Sequence, residues 1–194
     1  MAERLRVLAF AGSTRKDSFN RKLVGVAATG AREAGAVVSE IDLADFRLPL
    51  FEQDEEAAHG KPDRAIALKQ LFVNHDALLI ASPEYNGSLT GVLKNTIDWV
   101  SRSDDGETTP LVAFRGKAVA LMSASPGVLG GLRGLVHLRA ILGGLGCIML
   151  PEQVAVPMAR EAFDTGGGLS DQRQQEKVLG LGRSLAQVGQ KLIG

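Results

Sequence analysis

The chain is expected to form an α/β fold in which a five-stranded, doubly wound parallel sheet carries helices on both faces. Two observations point there. Short apolar runs alternate with longer amphipathic stretches along the whole chain, the rhythm of repeated strand–helix units. Those short runs are continuously apolar rather than alternating, as strands are when both faces are covered. No internal repeat or linker divides the 194 residues, so residues 1–194 read as one domain, long enough for a real core.

Leu5–Ala11 is the first expected strand, and a helical pattern follows from Asn20 to Ala34. Val37–Leu43 is the second strand, followed by a helix over Lys61–Asn74. Ala77–Ala81 is the third, and the helix after it spans Leu89–Ser101, where Leu93, Ile97 and Val100 share one face. Ala118–Ser123 and a helix over Gly130–Gly144 follow, then Cys147–Leu150 and a last helix from Ser170 to Ile193. Phe72 and Trp99 lie within helical patterns and read as core.

Composition excludes several classes. Lysines plus arginines number 22 and acids 22, a balance without the basic excess of a nucleic-acid binder. No apolar run approaches the ~20 residues of a membrane helix. Met1 leads directly into Ala2-Glu3-Arg4 and the first strand, so no signal peptide is expected. Cys147 is the single cysteine, which precludes an internal disulfide and fits a reducing, cytoplasmic compartment. His59, His75 and His137 lack metal-ligand spacing, and no glycine-x-serine-x-glycine elbow is present. Cys147 sits in an apolar run, where a thiol behaves as an inert hydrophobe. Gly166-Gly167-Gly168 reads as a flexible connection.

Ligands of such sheets bind beyond the carboxyl ends of the strands, which singles out three loops. The first, Gly12 to Asn20, has hydroxyls at Ser13, Thr14 and Ser18, an amide at Asn20, and cations at Arg15 and Lys16. It is neither a Walker A sequence nor a three-glycine dinucleotide fingerprint, so hydroxyls and a helix N-terminus must supply the donors. Capping by Ser18 or Asn20 explains Ser18 but not Arg15 or the run of hydroxyls, and phosphate binding is the favoured reading. Asp17 is expected to face solvent. The second loop, Ser82-Pro83-Glu84-Tyr85-Asn86-Gly87-Ser88, reads equally as a tight turn or as a site for a flat heteroaromatic ring. A hairpin is disfavoured there because a helix follows. The third, Ser123 to Gly131, reads in isolation as an ordinary strand-to-helix connection.

Taken together, these loops resemble the NAD(P)H-dependent FMN reductase family, flavodoxin-like enzymes that include bacterial quinone and chromate reductases. The matching residues are Gly12-Ser13-Thr14-Arg15 with Ser18-Phe19-Asn20, then Ser82 to Gly87, Leu93-Lys94-Asn95 through Ile97-Asp98-Trp99, and Ser123-Ala124-Ser125 with Gly127, Gly130 and Gly131. The resemblance runs from about Arg4 to Pro157. It departs at Asp17, where many relatives have glycine, and over Ser103–Thr109, which is longer and more acidic than usual.

The resemblance implies a strand order of 2-1-3-4-5 and bound FMN. It places Ser13, Arg15, Ser18 and Asn20 at the phosphate, with Thr14 in the same loop and Phe19 near the ribityl chain. Pro83, Glu84, Tyr85 and Asn86 would line the ring, with Gly87 completing their turn, and Ser123, Ala124 and Ser125 would close the other side. No side chain is expected to act as a catalytic acid or base. The implied activity is ping-pong transfer from NAD(P)H through FMN to quinones, flavins, azo compounds or metal oxyanions such as chromate. Arg102, Arg115 and Arg133 are candidates to meet the 2′-phosphate of NADPH. A homodimer or homotetramer is also implied; Phe51–Gly60 and Ser103–Phe114 are long enough to reach a partner, and their acidic residues read equally as a solvated surface. The rivals are a flavodoxin-type electron carrier, disfavoured by Arg15 and the balanced charge, and a non-redox nucleotide-binding module.

Overall fold

The computed structural model describes residues 3–104 and 106–194. In chain order the elements are β1 (Arg6–Ala11), α1 (Phe19–Glu33), β2 (Val37–Ile41), a 3-10 turn (Leu43–Phe46), α2 (Gln53–His59) and α3 (Asp63–Val73). Then come β3 (Ala77–Ala81), the short strands β4 (Glu84–Tyr85) and β5 (Ser88–Leu89), and α4 (Gly91–Val100). The chain continues through β6 (Ala118–Ala124), α5 (Leu132–Gly144), β7 (Ile148–Val156), α6 (Ala159–Ala162) and α7 (Gln172–Ile193). The sheet runs β2-β1-β3-β6-β7 with every pairing parallel, the expected 2-1-3-4-5 order once the two short strands are set aside.

Alternation along the strands divides the core by residue size. Val7, Ala9 and Ala11 of β1, with Ala77, Ala81, Ala118 and Ala120, face α1 and α7. Leu8 and Phe10, with Leu78, Ile80, Val119 and Leu121, face α3, α4 and α5. The large-residue face is filled by aromatic packing, with Phe72 5.4 Å from both Phe10 and Phe114 between ring centroids. Each such buried side chain contributes about 1.5–3 kcal/mol relative to exposure. The small-residue face lets helices approach closely. There α1 crosses α7 through Gly30 and Gly182, each of which lies almost against the other helix's backbone. Phe72 and Trp99 are core, as expected.

Several expectations are corrected. Glu84–Tyr85 and Ser88–Leu89 form a two-stranded antiparallel hairpin, with Asn86 and Gly87 both at positive φ. That is the primed turn whose twist suits a two-residue loop. A helix can follow directly because Thr90 caps it, its side chain accepting from Leu93 N–H. The last strand is longer than expected: its pairing with β6 jumps from Val119–Met149 to Leu121–Gln153, with Pro151 inside the bulge. Pro151 lacks an N–H and is tolerated because β7 is an edge strand. Gly166–Gly168 is a closed turn rather than a flexible connection, since Asp164 accepts from Gly168 N–H and donates back to its carbonyl.

The two segments that are long enough to reach a partner also make contacts with their own chain. Phe51 N–H donates to Asn95, its ring packs edge-on against Trp99, and Trp99 Nε1 donates to the Pro49 carbonyl. Glu56 pairs with Arg102, while Lys61 and the buried Lys69 both bind Asp104, and Lys69 also binds Glu107. Within the unusual Ser103–Thr109 stretch, Asp105 lies outside the described residues, as do Met1 and Ala2 of the expected leaderless start. Among the described residues no helix is long and apolar enough to cross a membrane.

Candidate active site

The carboxyl ends of β1, β3 and β6 converge on a cavity of about 460 Å³ built from the three expected loops. Gly12 begins the first. Its N–H donates to the Ala81 carbonyl at 2.8 Å, and its carbonyl accepts from Thr90 Oγ1 at 2.6 Å. A Cβ at Gly12 would sit 2.8 Å from the Leu93 side chain, so glycine is needed for close approach to α4. Ser13, Arg15, Ser18, Phe19 and Asn20 line the cavity. Thr14 is exposed and does not, and Asp17 faces solvent as expected.

The first turn of α1 decides what the cavity suits. Ser18 occupies the N-cap position, is buried, and makes no side-chain hydrogen bond to the helix. The first turn holds no acid. Other helix starts are provided for: Glu52, Thr90 and Asp171 cap α2, α4 and α7, and Asp63 lies in the first turn of α3. The α1 N-terminus instead opens toward the cavity with its N–H groups, a free hydroxyl and Arg15 beside it. Those donors and the helix dipole favour an anion. Asn20 works mainly as a clamp: Nδ2 donates to the Ala124 carbonyl at 2.8 Å and Oδ1 accepts from Ala124 N–H at 2.9 Å. One amide N–H is left for a ligand.

The hairpin supplies Pro83, Glu84 and Tyr85 to the cavity, whereas Asn86 and Gly87 form the turn beyond it. Tyr85 stands 61% exposed at the rim. The Glu84 carboxylate is engaged with α5: it accepts from Arg133 Nε at 2.9 Å and from Gly134 N–H at 3.1 Å. Helix α5 starts at Gly131, which has no side chain to cap it, so Glu84 serves as its cap from another loop. Burial by itself would raise the Glu84 pKa, but the Arg133 and Gly134 hydrogen bonds and the Arg133 charge hold it below the usual glutamate value. His137 adds a second tie through Ser88 at 2.9 Å.

The third loop contributes Ala124, Ser125 and Pro126. Ser123 does not join them, because its side chain is fully buried beneath Gly131 and its Oγ has no hydrogen-bond partner. A Cβ on Gly131 would lie 1.9 Å from that oxygen, and Gly131 sits at φ 90°, so only glycine fits. Arg160, from α6, also lines the cavity and was missed, since no motif marks it. Of the arginines considered for a nucleotide phosphate, Arg133 is paired with Glu84 near the rim and Arg102 with Glu56. Arg115 precedes β6 and so lies at the opposite end of the sheet. Burial pushes the Cys147 thiol up to about 12, which keeps it protonated at neutral pH. Among the described residues no group of three or more histidines, cysteines or carboxylates is placed to hold a metal ion.

The family model for NADPH-dependent FMN reductases matches residues 5–161. The chain belongs to this family. It is therefore an NAD(P)H-dependent, FMN-containing oxidoreductase. This FMN reductase is 35% identical over 184 residues to an NAD(P)H-dependent FMN reductase of Pseudomonas aeruginosa, covering 92% of this chain and 91% of that one. It is 34% identical over 185 residues to the quinone reductase of Escherichia coli, with 93% of each chain covered. Among solved structures, the NAD(P)H:(acceptor) flavoenzyme FerB of Paracoccus denitrificans aligns with a TM-score of 0.80 at 29% identity, covering 96% and 98% of the two chains.

Proposed function

We propose that this enzyme holds FMN in the cavity beyond β1, β3 and β6 and uses it to pass electrons from NAD(P)H to a quinone. The observation that carries the site is the uncapped N-terminus of α1, with a free Ser18 hydroxyl, opening on a cavity that also receives Arg15. The donor set fits a phosphate monoester. Ser13 accepts from Arg15 N–H at 3.2 Å, which leaves its own proton to donate to a ligand oxygen. Ser18, the first N–H groups of α1 and Arg15 complete that end. Pro83 to Tyr85 and Ala124 to Pro126 form the walls for a flat ring.

Bound FMN supplies hydride acceptance and two-electron delivery, chemistry that amino-acid side chains lack. The chain's own task is to bind, orient and exclude water. Its hairpin is rigid because α5 holds Glu84 and Ser88. No cysteine or histidine lines the cavity, and the carboxylate of Glu84 is committed to α5. The rim beside Tyr85 serves donor and acceptor in turn, which is a ping-pong order.

The test is a steady-state assay of FMN-loaded protein with NADH and NADPH against benzoquinone, free FMN, an azo dye and chromate. We expect quinone-dependent nucleotide oxidation with parallel double-reciprocal plots. Nucleotide oxidation that is no faster with any acceptor would sink the enzymatic reading and favour the carrier.

We also propose a homodimer. The exposed apolar surface near the site is Val128 and Leu129 before α5 and Leu132 and Val136 on it. Leu132 and Val136 share one helix face, and the stripe runs toward the cavity rim. Light scattering should report a dimer at micromolar concentration that Val136→Asp converts to a folded monomer. A wild-type monomer at that concentration would refute it.

A further inference from the structure

We propose that Arg160 is a second phosphate-reading arginine, reaching the FMN phosphate from α6, which packs beside the first loop. The inference rests on the cavity being an FMN site.

Arg15 and Arg160 line the same cavity but arrive from elements far apart in the chain. Arg15 is partly committed: its guanidinium donates to the Asp17 carbonyl and lies over the Phe19 ring, 5.4 Å from the centroid. Arg160 makes no hydrogen bond or ion pair with any described residue, so its full fork of donors is uncommitted at the cavity wall.

The packing around α6 says which end of the cavity Arg160 serves. Phe163, one turn further along, stacks on Phe19 at 5.9 Å with the rings 12° from parallel. Phe19 is the first residue of α1, so α6 lies against the anion-binding end and not against the hairpin. Two backbone hydrogen bonds fix this corner to the third loop, from Ala159 N–H to the Ser125 carbonyl at 3.1 Å and from Met158 N–H to the Gly127 carbonyl at 3.4 Å. Met158 turns the chain into α6 at φ 47°, a left-handed conformation unusual for methionine. Such outliers persist where the surroundings over-determine them, and here the result is Arg160 at the cavity wall.

Charge balance needs a second cation. A phosphate monoester carries roughly 1.5 to 2 negative charges at neutral pH, so one arginine leaves the pair net negative and two bring it near neutrality. A guanidinium fork also matches two phosphate oxygens at once.

The experiment titrates flavin-free protein with FMN and with riboflavin, followed by flavin fluorescence, for wild type, Arg160→Ala and Arg160→Lys. Thermal unfolding of the flavin-free proteins checks the fold, which a substitution at the exposed Arg160 position should leave intact. We expect Arg160→Ala to weaken FMN by about 10- to 100-fold, the range of one charge-assisted contact, with riboflavin unchanged and lysine intermediate. Equal weakening of both flavins would assign Arg160 to packing and overturn the proposal. Unchanged FMN affinity would also overturn it. If the KM for NADPH then rises against that for NADH, the residue belongs to the nucleotide's 2′-phosphate. Wild type that does not prefer FMN to riboflavin would overturn the site reading itself.

Discussion

Gly182→Ala is expected to destabilise the protein by about 3 kcal/mol, the upper part of the usual range for overpacking. Intrinsic propensity alone gives the opposite sign, because alanine is better than glycine in a helix interior by about 1 kcal/mol. Packing wins. A Cβ at Gly182 would lie 1.9 Å from the Ala27 carbonyl oxygen of α1, and one at Gly30 would lie 2.0 Å from the Leu179 carbonyl oxygen of α7. Both obstacles are helix backbone, which cannot swing aside as a side chain can. The helices must part, and Leu23, Ala27, Ala31, Leu181 and Leu185 then lose contact along the same seam. Gly180→Ala is the control, two residues away on the same helix. Its nearest neighbour would be the end of Arg183 at 3.9 Å, so propensity prevails and stability rises by about 0.5–1 kcal/mol. Urea denaturation of the two variants measures both signs. A Gly182→Ala protein as stable as wild type would mean that the α1–α7 crossing is looser than these distances describe. The consequence reaches the site, because α1 carries Ser18 and Asn20 at its other end, and a displaced helix should also bind FMN more weakly.

The strands were legible because a sheet covered on both faces leaves unbroken apolar runs, and β3 falls on Ala77–Ala81 as expected. The last strand was read short because Pro151 resembles a stop, yet an edge strand tolerates it within a bulge. Asn86-Gly87 did announce its turn. The strands beside it are two residues each, too short to show alternation, and the helix after Thr90 argued falsely against a hairpin. Helix α2 buries nothing, so no periodicity marked it, although Glu52 and three acids in its first turn are an N-terminal signature. Parity along β6 carried a signal that went unused. Ser123 points to the same face as Val119 and Leu121, beneath α5, while the cavity begins at Ala124. Other features were out of reach of local pattern. Glu84 caps a helix 50 residues away, and Arg160 enters the cavity through a left-handed methionine that nothing in its neighbours foretells.

Glu84→Ala should lower stability at neutral pH by about 2 kcal/mol, within the range for hydrogen bonds to a charged group. The side chain is 8% exposed, but Arg133 is 63% exposed, so solvent screens the ion pair and most of the loss comes from the α5 N-terminus left without an acceptor. Glu84→Gln retains a carbonyl oxygen for Gly134 N–H and should lose less. The pH dependence separates charge from shape. Arg133 and Gly134 outweigh the effect of burial and depress the Glu84 pKa in the folded state. Its charge therefore stabilises fully above the unfolded glutamate pKa of about 4.3, and that contribution fades as pH falls through the lower folded value. The stability gap between wild type and Glu84→Gln should then be constant near neutrality and close in acid. Asp76, Asp104 and Glu107 are also depressed, but they are common to both proteins and cancel in the difference. Parallel stability profiles down to low pH would show that the charge contributes nothing. Flavin affinity should follow the same order, wild type above glutamine above alanine, because the carboxylate fixes the hairpin that walls the ring. Loss of stability with undiminished FMN binding would instead confine Glu84 to the capping of α5.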